Sequence, residues 1–167
     1  MKKLIAIILS LVFVLSFAAC GKTPAYNSDT NVPKESGYFF TVNGVKVEMN
    51  VEASSVISAL GQSKSYTEEA SCAFEGLDKT YGYGGYFVST YPDGDKDYVY
   101  SAWFVDDSVT TEEGIYIGST KAEVEKAYGT DCFGGSNTAT LTKGATKLII
   151  ILTDDAVSSI QYQAVVE

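Results

Sequence analysis

The 167-residue chain carries 12 lysines against 21 acidic residues, for a formal charge of −9, and contains neither arginine nor histidine. Without arginine and with an acidic excess it lacks the phosphate-neutralising surface on which nucleic-acid affinity depends. Without histidine it can build no Ser-His-Asp or Cys-His arrangement and no imidazole metal site.

Lys2 and Lys3 precede an uncharged run from Leu4 to Ala19. As a helix this run measures about 24 Å, shorter than the ~30 Å hydrocarbon core. Small residues then lead into Cys20, the pattern of an export signal and not of a stop-transfer span. Residues Phe17-Ala18-Ala19-Cys20 resemble the lipobox of bacterial lipoproteins, with Phe17 where leucine is usual. The resemblance implies a signal peptide over 1–19, diacylglyceryl transfer to the Cys20 thiol, and cleavage that makes Cys20 the new N-terminus. Anchoring by two acyl chains would then hold the protein stably on the extracytoplasmic face of a membrane. Residues 20–36, with Pro24, Pro33 and a run of Asn, Ser and Asp, predict a flexible tether. Loss of Lys2 and Lys3 leaves the mature chain near −11, so the lipid is its one expected membrane contact.

The domain is expected over 37–167, where 131 residues suffice for a single core. Asn43-Gly44 between Tyr38–Val42 and Val45–Met49 predicts a type I′ hairpin. Its register places Val42 opposite Val45, Phe40 opposite Val47 and Tyr38 opposite Met49 on one apolar face. A helix is predicted over Val51–Leu60, with Ala53, Val56, Ile57 and Leu60 as its stripe and Gly61 as its stop. A second begins after Thr120, which forms a capping box with Glu123 and is followed by Val124, Ala127 and Tyr128. The two stretches align at an offset of 68 residues, with strand patterns at 86–90 and 99–102 answered by 148–152 and 157–160. This predicts an α+β fold of two tandem helix-plus-antiparallel-sheet repeats, about 38–105 and 109–163, with helices on one face of the sheet. Leu148–Leu152 is apolar at every position and predicts a central strand covered on both sides.

Ile117-Gly118-Ser119-Thr120 through Val124 to Gly129 resembles the opening of small exported repeat modules. These include the beta-lactamase-inhibitor-protein fold and BamE-like outer-membrane lipoproteins. The resemblance implies a helix layer on an antiparallel sheet and binding through the open sheet face. The expected interaction surface is the aromatic cluster Tyr81, Tyr83, Tyr86, Tyr91, Tyr98, Tyr100 and Trp103.

Chemistry-bearing residues are few. Asp93, Asp95 and Asp97 share the opening spacing of a calcium loop, but Gly94 and Phe104 miss the required glycine and glutamate positions, so a hairpin turn is expected. Asp106-Asp107 and Asp154-Asp155 read as strand-end turns. Glu75, Asp78 and Glu113 are the carboxylates that a glycoside-cleaving site would draw on. Cys72 and Cys132 form the thiol pair left after Cys20; they predict either a disulfide between the copies or two separate buried thiols. Neither metal nor cofactor is expected. The function expected is a non-catalytic, lipid-anchored binding or scaffolding protein with an envelope protein as partner. Capture of a glycan or peptide, and a carboxylate hydrolase, are the alternatives.

Overall fold

A computed structural model describes residues 37–166. The lipobox, Cys20 and the tether lie outside the described residues.

The first element is the predicted hairpin. Strands β1 (Phe39–Val42) and β2 (Val45–Glu48) pair with Phe40 opposite Val47 and Val42 opposite Val45. Asn43 and Gly44 both take positive φ, 51° and 78°, as a type I′ turn demands. Phe40 and Val47 are fully buried and Met49 nearly so. Helix α1 (Ala53–Leu60) follows and buries Ala53 and Val56. Gly61 ends it at φ 79°, a conformation open to glycine at little cost. Four strands come next: β3 (Ser65–Ala70), β4 (Leu77–Gly82), β5 (Tyr86–Asp93) and β6 (Lys96–Phe104). Helix α2 (Lys121–Tyr128) carries the predicted capping box: Thr120 accepts from the Glu123 amide, and the Glu123 carboxylate accepts from the Thr120 amide. Strands β7 (Thr138–Lys143), β8 (Thr146–Thr153) and β9 (Ala156–Ala164) complete the chain.

The expected α+β fold of two helix-plus-sheet repeats is not what forms. Strand accounts for 48% of the structure and helix for 12%, so the protein is mostly β. Strands from both expected copies join one seven-stranded antiparallel sheet of order β3-β4-β5-β6-β9-β8-β7. The seam is the β6–β9 pairing, which sets Ser101, Ala102 and Trp103 against Gln163, Tyr162 and Gln161. Each helix has only eight residues and together they bury three side chains: Ala53, Val56 and Val124. That is too little apolar surface for a helical layer, and the β1–β2 hairpin supplies much of the remaining cover through Phe40 and Val47.

The core lies on one face of this sheet. Val88, Val99, Ala102, Phe104, Leu148, Ile150, Ile160 and Tyr162 project into it, beneath Phe40, Val47, Val56 and Val124. Phe40 is its hub, with ring centroids 5.0 Å from Phe104, 5.3 Å from Tyr162 and 5.8 Å from Tyr86. Both helices start from segments bonded to a sheet strand. The Asn50 amide donates to Val99 and the Val99 amide to Val51; likewise Gly118 donates to Val157 and Val157 to Ser119. Those backbone bonds fix where each short helix begins, which its own eight residues could not.

Candidate interaction face

Because side chains alternate along a strand, the register assigns every sheet residue to the core face or to the opposite, outer face. Phe87 pairs with Trp103, Trp103 with Gln161, Gln161 with Ile149, and Ile149 with Thr140. This row crosses five strands on the outer face. The adjoining row runs Thr80, Ser89, Ser101, Gln163, Lys147 and Thr142. No described helix packs here, since both helices join the core on the other side.

The centre of the outer face is aromatic. The Phe87 and Trp103 rings stack with centroids 5.1 Å apart and planes 9° apart. Gly82 makes room for them, because a Cβ there would come within 2.6 Å of the Phe87 ring. Around this pair lie Ile149, half-exposed, and Ile151 and Val105, which are 38% and 52% exposed. The strand Leu148–Leu152 is therefore covered on one side only. Leu148, Ile150 and Leu152 are buried while Ile149 and Ile151 meet solvent, which corrects the expectation of cover on both faces.

The predicted aromatic cluster divides between the two faces. Tyr86 belongs to the core, Tyr83 stacks on it at 5.1 Å, and Tyr81 pairs with Val88 on the core side. Tyr91, Tyr98 and Trp103 belong to the outer face, while Tyr100 also packs against the core. Tyr91 is nearly buried there, with Phe74 of the β3–β4 loop at 4.7 Å and Tyr98 at 5.8 Å. Its hydroxyl donates to the Asn50 side chain at 3.3 Å. Tyr100 sits at the β-bulge between β5 and β6 and accepts a bond from the Gln163 amide at 3.0 Å. Ile149, Ile151 and Gln161 escaped the sequence reading. The signal was present in the all-apolar run 148–152 but needed a register to become legible.

The chain matches no family model, no curated protein and no solved structure. The reading of this face thus stands on its geometry.

The candidate carboxylates fall on three separate segments. Glu75 lies in the β3–β4 loop, Asp78 in β4, and Glu113 ahead of α2, where it accepts from the Tyr128 hydroxyl at 2.6 Å. Asp93 pairs with Lys96 to close the β5–β6 hairpin, and Asp97 is bonded to Lys79 at 2.6 Å. Asp154 and Asp155 form the β8–β9 turn with φ of 51° and 61°. Cys72 and Cys132 are both free thiols, the first exposed and the second half-buried, and burial raises the Cys132 pKa above the ordinary thiol value. A cleft between the end of β2 and the β7–β8 turn, lined by Met49, Asn50, Ala145 and Thr146 among others, holds about 200 Å³. Sites for drug-sized ligands usually enclose about 300–1,000 Å³; a wider, open groove between the start of α2 and the β8–β9 turn, lined by Lys121, Glu125, Asp154 and Asp155 among others, holds about 660 Å³.

Proposed function

We propose that this chain is a lipid-anchored extracytoplasmic binding protein that holds a protein partner against the outer face of its sheet. The observation that carries the proposal is the Phe87–Trp103 stack at the centre of a face that no described helix covers. Aromatic and aliphatic groups at the middle of an otherwise polar surface are what interface centres use. The stacked rings cover part of each other's faces, which leaves less open ring surface for a sugar to stack on. Attachment through Cys20 follows from the lipobox resemblance, and the absence of histidine supports a non-catalytic role.

Two experiments test the proposal. Lipid labelling of cells expressing the chain should mark the wild type and not Cys20→Ser; an equally labelled variant would remove the anchor. A photo-crosslinking residue at Ile151 should capture a defined envelope protein in intact cells, and Trp103→Ala should abolish that adduct. Capture from helix-side positions such as Ile57, with none from Ile151, would overturn the assignment of the face.

A further inference from the structure

The outer face also indicates the chemistry of its partner. The whole acidic excess of the mature chain resides in the domain, where eight lysines face 19 acids, yet the centre of the outer face is uncharged. Charge returns at its β3–β4 flank, where Glu69 and Asp78 are direct cross-strand partners on this face. Two carboxylates set opposite each other repel. Moreover, Oδ1 of Asp78 is buried with no hydrogen-bond partner among the described residues. The adjacent Lys79 points to the other face and is committed to Asp97. Lys147, the lysine of the neighbouring outer-face row, lies four strands away, about 19 Å at ordinary strand spacing. Phe74, packed on Tyr91 beside Asp78, adds ring surface of the kind that favours a cation.

We infer that the partner presents an apolar patch flanked by lysine or arginine, and that its basic group enters between Glu69 and Asp78 while the patch covers Phe87 and Trp103. This inference rests on the outer face being the docking surface. A cation at this flank would relieve the repulsion, and a charged hydrogen bond to a carboxylate is among the stronger contacts available.

Trp103 is the sole tryptophan of the chain, so its emission reports occupancy of the face directly. The test titrates the purified full chain with two tryptophan-free hairpin peptides that share one apolar face but carry either lysine or glutamate flanks. The lysine peptide should shift Trp103 emission, with affinity that falls as salt rises. Glu69→Gln with Asp78→Asn should weaken it about tenfold. Asp154→Asn with Asp155→Asn, which removes the same charge elsewhere, should weaken it less than about twofold. Equal losses in the two double variants, or equal binding of both peptides, would overturn the basic-partner inference and leave the docking face standing. A shift produced by calcium alone would also overturn it. No response of Trp103 to either peptide would count against the docking face itself.

Discussion

Phe87 and Trp103 stack across β5 and β6 with planes 9° apart, on the opposite side of the sheet from Phe40, whose ring lies 5.0 Å from Phe104. Two aromatic centres one residue apart along β6 thus serve different ends. The one around Phe40 holds the fold together, and the one around Trp103 is left for contact.

Substitution should separate them. Phe40→Ala removes a fully buried ring and is expected to cost about 3–5 kcal/mol. Trp103→Ala removes a half-exposed ring and its stacking partner contact, and should cost about 1–2 kcal/mol. Chemical denaturation of the two variants checks this; equal losses would show that Trp103 is core.

The β8–β9 turn is strained by its residues. Asp154 and Asp155 both occupy the left-handed region, which a type I′ turn requires and Asn-Gly meets at lower cost. Replacing the pair by Asn-Gly should stabilise the domain by about 0.5–1 kcal/mol and raise Tm by roughly 2–6 °C. A lowered Tm in calorimetry would contradict the turn assignment.

Two tyrosines, Tyr162 fully buried and Tyr128 half-buried, should respond in opposite ways. The Tyr162 hydroxyl has no hydrogen-bond partner among the described residues, and its burial drives its pKa well above the ordinary tyrosine value. Tyr162→Phe should therefore be neutral or stabilising by up to about 1 kcal/mol. The Tyr128 hydroxyl donates to Glu113 and contacts Thr111 at 2.9 Å, so Tyr128→Phe should lose about 1–2 kcal/mol. Urea midpoints of both variants decide; a destabilised Tyr162→Phe would mean that the hydroxyl is in fact bonded.

Acid should loosen the fold through its capping carboxylates. The Thr120 amide, and then its hydroxyl, hold the Glu123 pKa below the usual carboxylate value, and Ser108 does the same for Asp106. A folded pKa below the unfolded one adds stability above the unfolded pKa, and that stability is lost as pH falls through the folded value. Urea midpoints should thus decline as pH falls below about 4. Glu123→Gln should flatten this decline, and an unchanged slope would exclude the capping box as a contributor.

Local chemistry was legible without a structure. Asn43-Gly44 set the first hairpin and its register, Thr120 with Glu123 set the start of α2, and Gly61 set the end of α1, because turns and caps depend on residues a few positions apart. The same alternation that buried Phe40 and Val47 could not tell which face of Leu148–Leu152 would be covered. Nor could it divide Tyr86 from Trp103, since neither question has an answer until strands far apart in sequence are paired. The β6–β9 pairing joins residues about 60 positions apart, and it alone merged two expected repeats into one sheet. By itself the sequence determined composition, turns, caps and the absence of imidazole chemistry. Only the tertiary structure decided which aromatic side chains are core and which are surface, because facing is a property of the assembled sheet and not of any single strand.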